Sequence, residues 1–93
     1  MHEMSIAIEI CHMAEEHLGR EQLPHVVAVG LDVGDDAGIE VDSLRFCLEA
    51  LLSNPPFRKA RPEITRQPGD VLQLRYLEVN DAPATAEPAP GAL

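Results

Sequence analysis

The chain has 93 residues, room for one small domain and no second. Seven basic against sixteen acidic side chains give a formal net charge of −9, a surface that repels phosphate backbones and anionic lipid; nucleic acid and membrane are excluded as expected partners. No apolar run approaches the roughly 20 residues that span a bilayer, and two cysteines are too few for a disulfide framework or a four-cysteine zinc site. Glu3 and Glu9 stand where a secretory signal would carry basic residues. The expectation is a cytoplasmic, reduced, soluble protein whose natural partners are cations and basic protein surfaces.

Met4, Ala7, Ile8, Cys11, Ala14 and Leu18 recur at helical spacing, and Ile6, Ile10 and Met13 widen that apolar face. The pattern predicts a helix over 4–18 with Ser5, Glu9, His12 and Glu16 on its wet side, stopped by Gly19. Pro24 then restricts the connection. Residues 25–33, HVVAVGLDV, read as a strand with Val27, Val29, Leu31 and Val33 on one face and Val26, Ala28, Gly30 and Asp32 on the other. Gly34 to Gly38 is a loop. Asp42 is the expected N-cap of a second helix whose buried stripe is Leu44, Cys47, Leu48, Leu51 and Leu52, ended by Asn54-Pro55-Pro56.

Residues 60–67 form a short strand centred on Ile64, which Pro62 assigns to an edge or to its own beginning. Gln67-Pro68-Gly69-Asp70 has the residues of a type II turn. In the strand over 71–79, Leu72, Leu74 and Tyr76 share one parity and Leu77 and Val79 the other, which predicts a bulge near Tyr76. From Ala82 onward, alanine and proline dominate, and 81–93 is expected to be a disordered tail. The fold class is therefore α/β, α+β-like, in the order α-β-α-β-β. Two helices cover one face of a three-stranded mixed sheet, with a right-handed parallel crossover and an antiparallel third strand.

The chemistry concentrates at the amino terminus. A large residue at position two should leave the initiator methionine in place, so an α-amine stands beside the imidazole of His2. Amine, imidazole and adjacent backbone amides are nitrogen donors, a set that favours square-planar Ni(II) or Cu(II).

Met1-His2-Glu3-Met4-Ser5 opening a helix resembles the HypA/HybF family, nickel chaperones that help mature [NiFe] hydrogenases and urease. Val26 to Gly34 and Val41 to Glu49 follow at matching positions, and residues 60–67 and 69–79 are similar to the strands flanking that family's zinc module. The likeness covers 1–80, which it implies is a nickel-binding domain. It implies that Met1 supplies the terminal amine, His2 the nickel imidazole and Glu3 a backbone nitrogen together with a helix-start or partner contact. It also implies transient Ni(II) cargo, no enzymatic turnover, and a hydrogenase maturation GTPase or hydrogenase large subunit as partner. The family carries two CxxC pairs between its last two strands. Here that position holds only Pro68-Gly69, so structural zinc is not expected. That loss motivates a second reading, a metal-independent assembly protein docking on the same partners.

Other candidates read as ordinary structure. His12 and His17 lie five residues apart, about 140° around a helix, and cannot chelate one zinc. Cys11 and Cys47 sit on apolar stripes, as small core residues do. Asp35, Asp36, Glu40 and Asp42 lack calcium-ligand spacing, and Arg58, Lys59, Arg61 and Arg66 read as solubilising charge or a surface for an acidic partner.

Overall fold

The computed structural model describes residues 2–80; Met1 and the predicted tail at 81–93 lie outside the described residues. Helix α1 spans Glu3–Leu18 and a short 3-10 helix follows at Arg20–His25, with Pro24 inside it. Strand β1 is Val26–Gly34, helix α2 is Val41–Leu52, and strands β2 and β3 are Arg61–Gln67 and Leu72–Val79. The order α-β-α-β-β and the mixed three-stranded sheet are as the sequence predicts. Gly19 ends α1 at φ +82°, its amide donating to the Glu15 carbonyl at 2.8 Å.

β1 is the central strand, parallel to β2 on one side and antiparallel to β3 on the other. Pro68-Gly69 is consequently no hairpin turn. The link from β2 to β3 crosses the end of β1, where the amides of Gly34, Asp35 and Asp36 donate to the carbonyls of Val71, Gln67 and Gly69 at 2.6, 2.8 and 2.7 Å. A Cβ on Gly34 would lie 2.2 Å from the Gly69 carbonyl oxygen, so this position requires glycine for close backbone approach. β2 is an edge strand with Pro62 at its second position, where a missing donor is tolerated.

The core lies between the sheet and the two helices. Val29, Leu31 and Val33 from β1 meet Ile6, Ala7, Ile10 and Ala14 of α1 and Val41, Leu44, Leu48 and Leu52 of α2. Each fully buried leucine contributes about 1.5–3 kcal/mol of hydrophobic stabilisation. Two predictions shift by one residue. A bulge at the start of β1 places Val26, not Val27, in the core. On α1 the buried arc centres on Ile10, leaving Met4 and Ile8 exposed and Cys11 half-buried. The second bulge falls where expected: Gly30 opposes Tyr76 and Leu31 opposes Leu74, so Arg75 is the extra residue.

Among the described residues, the opposite face of the sheet carries no helix. There the Tyr76 ring lies on Gly30, and its hydroxyl donates to the Glu63 carboxylate, which also receives Arg61 at 2.9 Å. Asp32, 7% exposed, is the one buried charged residue among those described. Gln73 donates to it at 3.0 Å and Gln67 at 3.2 Å, with Arg75 at 3.5 Å. The Gln73 hydrogen bond first, then that of Gln67 and the charge of Arg75, hold its carboxyl below the ordinary range despite burial.

Candidate functional site: the amino terminus

His2 occupies the N-cap of α1 in extended conformation, φ −94° and ψ 110°. Its carbonyl accepts the first helical hydrogen bond, from the Ile6 amide at 3.3 Å. Its imidazole does not cap the helix, and the residue is exposed. The amides of the first turn, those of His2 and Glu3 included, have no helical carbonyl to donate to. The described part of the predicted donor set is therefore one exposed imidazole and two amide nitrogens outside the helical ladder. The Met1 amine lies outside the described residues.

Glu3 has a second role that spacing did not reveal. Its Oε2 accepts from the Glu40 amide at 3.0 Å, and the Glu40 carboxylate accepts in turn from the Ser43 amide at 3.1 Å. Glu40 is thus the N-cap of α2, correcting the expected Asp42, which falls in the first turn. The relay ties the start of α1 to the start of α2. Both helix N-termini carry partial positive charge, and Glu3, Glu40 and Asp42 complement it. The Glu40 amide, foremost, and the residue's own amide hold the Glu3 carboxyl below its ordinary range. The only sequence signal for this contact is an acidic residue at each helix start, too common to pair two positions 37 residues apart.

The Glu3 carboxylate holds this junction while ionised. Its stabilising contribution is complete above the ordinary glutamate range and is lost as pH falls through its lowered folded value. We expect Glu3→Ala to lower the thermal unfolding midpoint and to speed hydrogen exchange at the Glu40 amide about tenfold. Glu3→Gln, whose carboxamide oxygen accepts the same bond, should restore most of both. Unchanged exchange at Glu40 in the alanine variant would remove the junction from the argument.

The remaining candidates stay apart. Among the described residues no group of three or more His, Cys, Asp or Glu side chains is placed to hold a metal ion. Cys11 and Cys47 pack half-buried against the core, and burial pushes the Cys11 thiol up to about 11, leaving it unionised at neutral pH. His12 and His17 are exposed on α1. Arg66 pairs with Asp35 at 3.0 Å, and Arg61 reaches both Glu63 and Glu78, so two of the four clustered cations serve internal contacts.

Residues 1–72 match the family model described as HypA: Hydrogenase/urease nickel incorporation, metallochaperone, hypA. The chain is 45% identical over 69 residues to a hydrogenase maturation factor HypA of Azotobacter chroococcum, covering 74% of this chain and 61% of that protein. The same figures hold for the HypA of Azotobacter vinelandii. To the HypA of Cupriavidus necator it is 38% identical over 87 residues, 94% of this chain and 71% of that protein. The chain thus spans about three fifths of the length of the two Azotobacter relatives. With the family model covering the amino terminus, both helices and the first two strands, the chain belongs to the HypA family.

Proposed function

We propose that this chain binds Ni(II) at its amino terminus and delivers it to a [NiFe] hydrogenase maturation pathway in the cytoplasm. The observation that carries the reading is the exposed His2, its imidazole uncommitted to capping, at a helix start whose first amides are free of the ladder. The ligands are the Met1 amine, the His2 imidazole and the Glu3 backbone nitrogen. Nitrogen donors of this kind suit a planar Ni(II) complex, and a backbone nitrogen becomes a ligand only by losing its proton. Binding therefore releases protons and strengthens as pH rises. The positive end of the helix dipole favours the negative charge left on such an amide, and the clamped Glu3 carboxylate limits motion of the turn that presents it.

Nothing in this chemistry turns over a substrate. The metal is cargo, released by ligand exchange to an acceptor, which we assign to a hydrogenase maturation GTPase or the hydrogenase large subunit. A second reading, metal-independent docking on those partners, draws support from the short Pro68-Gly69 link where the resemblance places paired cysteines.

Extending the chain by one residue before Met1 separates the two readings. The extension keeps the imidazole but moves the amine, and calorimetry should record loss of tight nickel binding relative to the native terminus. Undiminished affinity would refute the amine as a ligand. Partner capture that persists equally with and without nickel would favour the docking reading.

A further inference from the structure

We propose that the cleft between α1 and the outer edge of β3 is a docking site for an extended segment of a partner protein in which apolar and basic side chains alternate. β3 pairs with β1 alone among the described strands, so its other edge offers unpaired backbone donors and acceptors. Beside that edge lies a cavity of about 360 Å³ lined by Ile6, Ile10 and Met13 of α1 and by Leu72 and Leu74 of β3. Leu72 is 40% exposed there.

A helix flanking an open strand edge is the arrangement that accepts a peptide as an added strand. Main-chain hydrogen bonds supply affinity, and alternate side chains enter the adjoining pocket. The apolar lining sets one parity of the added strand. Charge sets the other: Glu9 lies on the cleft itself, on a helix that carries no lysine or arginine. Arg75, the cation on the β3 edge, is turned to Asp32 at 3.5 Å. Two copies of this chain, each with a net charge of −9, repel one another, and Glu9 is the one charged residue among those lining the cleft, so the occupant is a basic partner segment rather than another copy. The proposal stands apart from the nickel reading, since His2 is not among the residues lining the cleft.

The test titrates the isotope-labelled full chain with a synthetic Lys-Val alternating peptide long enough to cover β3, followed by amide chemical shifts. Lys-Gly and Glu-Val peptides of equal length serve as controls. We expect shifts concentrated in Leu72–Val79 and the facing side of α1, with the Lys-Val peptide alone saturating. Leu72→Glu should weaken binding about tenfold or more. Shifts scattered over the acidic surface, or equal binding of the Lys-Gly peptide, would reduce the effect to bulk charge and overturn the proposal. A dimer filling the cleft before peptide is added, seen by sedimentation, would overturn it in favour of self-association. Should Leu72→Glu fail to fold, the shift map of the unsubstituted chain decides.

Discussion

His2→Ala is expected to weaken nickel binding by more than about a hundredfold while leaving the fold intact. Removing an outer-shell partner of a metal ligand already costs about 10–100-fold, and here the proposed ligand itself is removed. The imidazole makes no capping contact and the residue is exposed, so folding stability should change by no more than about 0.5 kcal/mol. Calorimetry at several pH values gives a second readout. In the native chain the affinity should climb with pH as amine, imidazole and amide shed protons, whereas the variant should lack the imidazole's share of that climb. Equal affinity in the two proteins would mean that nickel, if bound, is held elsewhere.

The largest expected loss of stability comes from Gly34→Ala. The added methyl would sit 2.2 Å from the Gly69 oxygen and 2.6 Å from the Val71 nitrogen, both backbone atoms of the crossing link. They cannot rotate away as a side chain can. The link must lift, which strains or breaks the hydrogen bonds from Gly34, Asp35 and Asp36. Overpacking of about 1–3 kcal/mol plus about 0.5–1.5 kcal/mol for each bond lost amounts to about 2.5–7.5 kcal/mol if all three go. That is a large part of the total for a domain of this size. Urea denaturation should show a midpoint far below the parent's. Gly30→Ala is the informative control, because the atoms it meets belong to the half-exposed Tyr76 ring, which can swing off the open face. A loss at Gly34 no greater than at Gly30 would contradict the tight crossing.

The elements were legible because their signals are local. Helical spacing in α1 and α2, alternation in β1 and the Pro-Gly pair each act over a few residues. Even the bulge beside Tyr76 was readable, since Leu74 and Leu77 cannot both face the core without an extra residue between them. What escaped depends on neighbours far along the chain. Nine apolar residues on α1 define a wide arc, and only its seat between α2 and the β3 edge selects Ile6 and Ile10 over Met4 and Ile8. Strand order escaped for the same reason: a tight turn is compatible with a hairpin, and the crossing over Gly34 is settled by backbone fit. At the amino terminus, the identity of His2 was plain from sequence, but the Glu3–Glu40 tie was not.

The path of the chain divides the domain into two poles. Glu3 meets Glu40, Ser5 and Ile6 lie beside Leu72, and Val71 bonds Gly34, so the starts of both helices and the β2–β3 link gather at one pole. The other pole is where the Asn80 amide meets the His25 carbonyl. A fluorophore or affinity handle fused after Asn80 would leave the pole of the helix starts unobstructed, whereas any polypeptide spliced between Pro68 and Gly69 would emerge at that pole, beside Gly34 to Asp36.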